Sequence, residues 1–392
     1  MFLFCSYDPC MVFAMQNPVL HSKNRYLGGA LDSTHAAHPD ARRGRGAVGN
    51  PSGRFEREHR ETIDDGWDNV DLPPPPLHTT VLRDTSKTII ARNQSPDIPF
   101  DRSINPYRGC EHGCIYCFAR PTHAWLGMSP GLDFESKIMM KPDADVLLDK
   151  ALRASSYTCR VMAMGTNTDP YQPIERKYQI TRSVLQVLAQ FAHPVGIVTK
   201  SALITRDIDI LAPMAAQQLA KCAVSITTLD AKLARQMEPR ASTPTRRLEA
   251  IKQLSAAGIS TAVMFAPVIP ALNDHEMESV LEAARDAGAR EAGYVMLRMP
   301  LEVRDLFQEW LAEAVPGRAQ HVMKLIRDMR SGRDYDPEWH SRMSATGPIA
   351  DMVKRRFVLA CKNLGLNERT YKLDTTRFNP PPQSGDQLSL FG

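Results

Sequence analysis

The chain has 392 residues, 43% of them hydrophobic and 23% charged, with a formal net charge of +4. This is the composition of an ordinary soluble globular protein with room for one large core, and the absence of any apolar run of about 18 residues excludes a membrane-spanning helix. The mild positive balance permits nucleic-acid contact but lacks the sharp basic bias of dedicated nucleic-acid-binding domains.

In chain order, the opening Met1-Phe-Leu-Phe-Cys-Ser-Tyr-Asp-Pro-Cys-Met11 is apolar but short, has no basic leader and carries Asp8, so it does not read as a signal peptide. Met11 and Met15 are alternative starts. Residues 1–80 lack core-forming patterns and are expected to be a disordered tail. Its arginines, Arg42, Arg43, Arg45 and Arg54, read equally as non-specific phosphate clamps or as a solvated basic face. Pro73 to Pro76 stiffen a linker, and a folded domain is expected over 81–300.

Near its start comes Asn105-Pro-Tyr-Arg-Gly-Cys-Glu-His-Gly-Cys-Ile-Tyr-Cys-Phe-Ala-Arg120, with Cys110, Cys114 and Cys117 in a Cys-x3-Cys-x2-Cys pattern. Three thiolates this close suit three corners of an iron–sulfur cube, leaving the fourth iron for a ligand other than protein. The competing reading is a zinc site completed by His112 or His123. Structural zinc sites pair two separated hooks, whereas Cys159, Cys222 and Cys361 each stand alone. Eight cysteines in a chain this long do not form a disulfide framework, and an oxygen-sensitive cluster needs a reducing compartment, so the cytoplasm is expected.

Beyond the cysteines, strands are predicted over 137–141, 160–165, 194–200, 222–228, 261–268 and 293–299. Helices are predicted between them over 144–154, 181–191, 207–217, 244–257 and 275–287. Alternation of this kind calls for βαβ units and a parallel sheet. Asp143 and Thr243 read as N-caps, the latter with Pro244 in the first turn, and Gly258 and Gly288 sit where left-handed C-caps fall. Amphipathic helices over 304–315, 319–330 and 349–364 form an expected C-terminal extension, 301–378, that closes the barrel. Trp339 and His340 lie in a polar loop within it, either packed or touching substrate. The final segment, 379–392, is read as a flexible tail.

The cysteine spacing, with Tyr116 just before the last Cys, resembles the signature of radical S-adenosylmethionine enzymes. Asn105-Pro-Tyr-Arg-Gly-Cys110 and Cys117-Phe-Ala-Arg120 resemble the branch related to spore photoproduct lyase, over roughly residues 85–300. The resemblance implies an α/β fold, a partial (β/α)6 barrel, with a short first strand near 88–91 and chemistry at the C-terminal strand ends. It also implies a 4Fe–4S cluster on the three cysteines, whose open iron takes S-adenosylmethionine and yields a 5′-deoxyadenosyl radical. Gly165, Thr166 and Asn167, in Gly165-Thr-Asn-Thr-Asp-Pro170, would bind the cofactor's amino group; a Pro-rich turn is the simpler reading. Lys200 would meet the cofactor's carboxylate or a substrate phosphate, or lie in an exposed loop. Ser225 would reach the ribose, and Thr227 shares its face. Arg240, in Met237-Glu-Pro-Arg240, would pair with the methionine carboxylate, or form a surface pair with Glu238. Ala266-Pro-Val-Ile-Pro270 matches the adenine-binding place, although it lacks the usual glycine.

At the far end Gln387-Leu-Ser-Leu-Phe391 resembles the peptide by which bacterial replication and repair proteins dock on the sliding clamp. Gln387, Leu388, Leu390 and Phe391 would make the contact, with Pro380 to Pro382 in the tether. The leading reading is therefore a radical enzyme acting on DNA, in a lyase or repair reaction, with an external electron donor. Radical modification of RNA or protein is a second reading, and a non-catalytic iron–sulfur adaptor on DNA a third. Cys159, Cys222 and Cys361 are candidate hydrogen donors or inert buried thiols.

Overall fold

The structure, a computed structural model, describes residues 42–56 and 76–382. Its ten strands are β1 (Thr80–Arg83), β2 (Ile90–Arg92), β3 (Arg102–Ile104), β4 (Tyr107–Arg108), β5 (Lys137–Met140), β6 (Met162–Met164), β7 (Val195–Thr199), β8 (Ala220–Ser225), β9 (Ser260–Val268) and β10 (Glu291–Met296). Seven form one sheet in the order β10-β9-β8-β7-β6-β3-β2, and β1-β5-β4 form a small second sheet. All neighbours from β3 to β10 are parallel, with β2 antiparallel on the edge. Six parallel strands joined by helices make the expected α/β partial barrel, open between β10 and β2.

The strands pair because they are apolar on both faces. β9 reads Ser-Thr-Ala-Val-Met-Phe-Ala-Pro-Val and is buried along nearly its whole length, as a parallel strand covered on both sides must be. Helix Ile180–Gln190 turns Ile180, Thr181, Val184, Leu185 and Leu188 inward, one stripe at helical period. Thr243 caps helix Pro244–Ala256 by accepting from Arg246 N. Gly258 and Gly288 both take positive φ past their helices. Asp143 makes no cap hydrogen bond and pairs instead with Arg83 at 2.6 Å.

Three expectations need correction. Residues 137–141 are not a barrel strand, because β5 runs parallel to β1 and antiparallel to β4, outside the main sheet. The five-residue helix Leu132–Ser136 leads directly into β5, and Cys110 N donates to Phe134 O, so this segment is tied back onto the loop. The first parallel strand is β3, and the segment read over 88–91 forms the antiparallel edge strand β2. Finally, 42–56 is not a free tail. It is a strap across the cysteine loop, with Arg45 and Ala47 buried. Gly46 passes so close that a Cβ there would lie 1.8 Å from Gly113 O. The four-proline linker is described only from Pro76 onward.

After β10, helices Val303–Ala314 and Ala319–Asp328 share a core with Ile115, Tyr116, Met237 and Ile269. The C-terminal extension thus covers the side of the cysteine loop, and Trp310 Nε1 donates to Gln236 O at 3.2 Å. Trp339 and His340 are exposed there, and His340 N donates to Asp97 Oδ1.

His193, fully buried before β7, meets Tyr157 Oη at one nitrogen and the Pro194 carbonyl at the other. Burial, then the Arg102 charge, lower its pKa to about 4 from 6.5. A histidine with a depressed folded pKa stabilises above its unfolded value and loses that contribution as pH falls through the folded one. Urea titrations should therefore show wild type losing roughly 3 kcal/mol from this group between about pH 6.5 and 4. His193→Gln should lack that part of the pH slope.

Candidate functional site

Cys110, Cys114 and Cys117 sit on the loop that follows β3 and β4, at the C-terminal end of the parallel sheet, all as free thiols. Burial raises each pKa; Asp169 and the other two cysteines raise Cys110 further, Glu238 and Cys117 raise Cys114 against the Lys200 charge, and Cys117 stays raised despite Arg120 and Lys200. In water-free surroundings such thiols ionise only when a cation takes the charge, as the irons of a cluster do. Amide hydrogens are also aimed at two sulfurs, from Asp169 to Cys110 and from Ala119 to Cys117. The donor set and its surroundings fit a cluster held by three cysteines. The remaining described thiols lie elsewhere: Cys222 is buried within β8, Cys361 is on helix Pro348–Leu364, and Cys159 precedes β6. Burial pushes Cys222 up to about 12 and the other two to about 11.

Neither histidine proposed for zinc is idle. His112 Nδ1 stands 3.4 Å from Asp169, and His123 Nε2 bonds the Lys137 carbonyl at 3.0 Å. Among the described residues no three His, Cys, Asp or Glu side chains, the three cysteines included, are gathered as a single metal ion requires.

Arg120 shapes the loop. Fully buried, it donates to the carbonyls of Cys114, Gly113, Pro130 and Gly131 and pairs with Glu135 at 2.5 Å. Glu135 in turn accepts from Gly46 N and Ala47 N of the strap. Lysine cannot reproduce a planar five-donor fork. Arg120→Lys should lower the iron bound after reconstitution about tenfold, the lower end of what lost orienting contacts cost metal sites; iron assay against protein concentration reads this directly.

The segment after β6 lies against the cysteine loop. Gly165 has φ +86°, and a Cβ there would lie 1.9 Å from Val198 O, so the approach of β7 by itself requires glycine. Asn105 Oδ1 accepts from Asn167 N at 3.1 Å and Thr166 Oγ1 at 3.4 Å, joining the start of the cysteine motif to this segment. Asp169 is the hub. Its carboxylate accepts from Thr199 Oγ1 and Lys200 N, both at 2.7 Å, and from Tyr171 N. Burial would raise its pKa, but His112 and these donors outweigh burial and hold it at about 2.

Lys200 does not lie in an exposed loop. Its Nζ donates to Ser225 Oγ at 2.8 Å and sits 5.7 Å from the Tyr116 ring centre, and its charge acts on Cys114 and Cys117. Ser225 and Thr227 point the same way, each hydroxyl 3.3 Å from Ala266 O. Tyr116 is buried, its hydroxyl donating to Glu238 and lying 3.2 Å from Thr227 Oγ1. Asn273 pins the segment after β9 through Thr227 O, Pro267 O and Ile269 N.

Arg240 is half-buried and pairs with Glu111 at 3.2 Å, while its amide donates to His112 O. The alternative surface pair with Glu238 is not formed, because Glu238 is buried against Arg247. Burial would raise the Glu238 pKa, but the Arg247 and Lys200 charges prevail and hold it at about 2. Sequence reasoning missed Asn105, Glu135, Glu238, Arg247 and Asn273. For Arg247 a signal was present, since it falls on the same helical stripe as Ala250, Ile251 and Leu254.

A parallel α/β sheet carrying three clustered cysteines, two buried and one half-buried, on the first loop at its C-terminal edge is the arrangement of a radical S-adenosylmethionine enzyme. Residues 104–284 match the radical SAM superfamily profile. Uncharacterized proteins of Mycobacterium tuberculosis and Mycobacterium bovis are 37% identical over 242 residues, 60% of this chain and 71% of theirs. One from Methanocaldococcus jannaschii is 29% identical over 44% of this chain and 62% of its own. The chain belongs to the radical SAM superfamily, whose members use a 4Fe–4S cluster and S-adenosylmethionine. Its fold is similar to that of spore photoproduct lyase. A mutant of that enzyme superposes with a TM-score of 0.51 at 14% identity, and its complex with dinucleoside spore photoproduct with 0.52 at 13%. Each superposition covers 73% of this chain and 80% of the other. No described helix is long and apolar enough to cross a membrane.

Proposed function

We propose that the protein is a cytoplasmic radical S-adenosylmethionine enzyme acting on DNA, in a lyase or repair reaction. The observation that carries the radical chemistry is the set of three thiols on one loop, Cys110 and Cys114 buried and Cys117 half-buried, with the Lys200 charge acting on Cys114 and Cys117. Cys110, Cys114 and Cys117 hold the cluster. When bound, it supplies the electron that cleaves S-adenosylmethionine to methionine and a 5′-deoxyadenosyl radical.

The chain's own residues orient that cofactor. Lys200, fixed through Asp169 at its amide and Ser225 at its Nζ, offers a positive charge for the methionine carboxylate. The backbone at Gly165, Thr166 and Asn167, anchored by Asn105, would receive the amino group. Ser225 would meet the ribose, and Tyr116, its hydroxyl tied to Glu238, would pack against the bound cofactor. Arg240 is within reach only by exchanging Glu111 for the carboxylate, which makes it the weaker of the two cations for this role. The hydrogen donor for the product is one of the buried thiols or a tyrosine.

The DNA reading draws support from the fold likeness to spore photoproduct lyase, one structure of which holds a dinucleoside lesion. It also draws on the tail Gln387, Leu388, Leu390 and Phe391, which lies outside the described residues. We propose that this tail docks on a sliding clamp with micromolar affinity, about −8 kcal/mol, and so concentrates the enzyme on DNA.

The deciding experiment incubates anaerobically reconstituted, reduced protein with S-adenosylmethionine and site-deuterated damaged oligonucleotides. Deuterium in 5′-deoxyadenosine locates the abstracted hydrogen. Formation of 5′-deoxyadenosine with no transfer from any DNA, but transfer from RNA or a peptide, would move the substrate class. No cleavage of S-adenosylmethionine at all would leave a non-catalytic iron–sulfur protein.

A further inference from the structure

Two arginines beyond β10 have no assigned work. Arg298 lies two residues past the strand's C-terminal end, the end that carries the cysteine loop. Its guanidinium stands 4.9 Å from the ring centre of Phe118, the residue after Cys117, and that ring is 42% exposed. Among the described residues Arg298 donates to the Met343 sulfur, at 3.4 Å from Nη1, a weak partner. Its Nε is buried without a partner among the described residues.

Arg330 is more unusual. Only 2% exposed, it spends Nη2 on Leu297 O at 2.7 Å and Arg342 O at 3.4 Å, while Nε and Nη1 are buried with no described partner. Arg120 and Arg247, buried as deeply, each meet a carboxylate. Arg330 meets none within ion-pair distance among the described residues. The acidic groups that act on it from further away are Asp336 and Tyr335, with Arg298 opposing them, and burial lowers its pKa. Asp336 is already committed to Ser341 Oγ and Glu338 N. A buried charged donor left unsatisfied loses its full hydration without return. Such a cost persists where a ligand supplies the missing acceptors.

We propose that Arg298 and Arg330 form a phosphodiester subsite, which holds a nucleic-acid strand against Phe118 beside the cysteine loop. Three unsatisfied donor nitrogens, one on Arg298 and two on Arg330, on two planar forks match an oxyanion. An exposed aromatic ring beside a guanidinium is the pairing that single strands use for base stacking next to a backbone contact. That combination favours a nucleotide over a peptide carboxylate. The inference rests on the nucleic-acid reading above and specifies where the strand is gripped.

The test uses the full-length reconstituted protein and a fluorescein-labelled single-stranded oligothymidylate, read by anisotropy through a salt titration. Arg298→Gln and Arg330→Gln should each weaken binding about tenfold and flatten the log K against log salt slope by about 0.7, the loss of one single-strand phosphate contact. A second arm measures the rise in Tm given by inorganic phosphate over chloride at equal ionic strength. Wild type should gain and Arg330→Gln should not. Circular dichroism and cluster absorbance check that the variants fold, and Arg298→Gln, at a half-exposed position, carries the test if Arg330→Gln does not. Oligonucleotide binding with affinity and slope unchanged in both variants overturns the subsite while leaving the nucleic-acid reading intact. Phosphate protection lost in Arg330→Gln, with no oligonucleotide bound by wild type, overturns the phosphodiester assignment in favour of a carboxylate-bearing peptide.

Discussion

Alanine in place of Cys114 should leave a folded protein that carries no stable cluster, forms no 5′-deoxyadenosine and shows no broad iron–sulfur absorbance after anaerobic reconstitution. On the proposed ligand set of three cysteines the effect is expected to be complete, because two thiolates cannot hold a four-iron cube against loss to solvent. The fold should persist because Cys114 contributes a small side chain to a core otherwise built from Ile115, Leu306, Phe307 and Trp310. Far-ultraviolet circular dichroism, iron content and product assay together decide the matter. Retention of stoichiometric metal by Cys114→Ala, with zinc in place of iron, would overturn the cluster assignment. Cys222→Ala provides the matched control for the cluster: that thiol is buried in β8, away from the loop, and its loss should leave iron content and iron–sulfur absorbance unchanged.

Removing Glu238 should be the most damaging single change outside the cysteine loop. Its carboxylate accepts from Arg247, Tyr116 and Thr227, and all four side chains are buried. Glu238→Ala strands the Arg247 charge in an apolar setting, a change that typically costs about 3–5 kcal/mol. That is a large share of the stability of most domains. Arg247 also donates to Ser225 O at 2.9 Å and Ser242 O at 2.7 Å, so β8 loses its anchor at the point where Ser225 meets Lys200. Urea denaturation of the anaerobic protein should show the full loss. The double variant Glu238→Gln with Arg247→Met should recover part of it, because no unpaired charge then remains. A Glu238→Ala protein as stable as wild type would mean that Arg247 finds another partner.

The cysteine loop was legible in the sequence because its signal is local: three thiols within eight residues need no tertiary context. The strand–helix alternation was legible for the same reason, as β7, β8 and β9 are apolar runs bounded by turns. What sequence reading misplaced follows from length and distance. β3 is Arg-Ser-Ile, three residues flanked by Asp101 and Asn105, too short for any period to register. β5 has the apolar look of a barrel strand, and only its pairing with β1 and β4 reveals otherwise. The strap over 42–56 reads as a basic tail because what holds it, Glu135, lies about ninety positions on. Glu238 was taken as a neighbour of Arg240, two residues away, whereas the partner it chose is nine away on a helix. Long-range ion pairs leave no local pattern, and here they organise the site.

The strap carries a practical corollary. One carboxylate, Glu135, grips both the Gly46 and Ala47 amides and the guanidinium that moulds the metal-bearing turn, so neither can slacken without the other noticing. Cleavage by a protease within 42–56 then becomes a remote gauge of maturation: freshly synthesised chains awaiting iron should be nicked there readily, and fully assembled ones should resist.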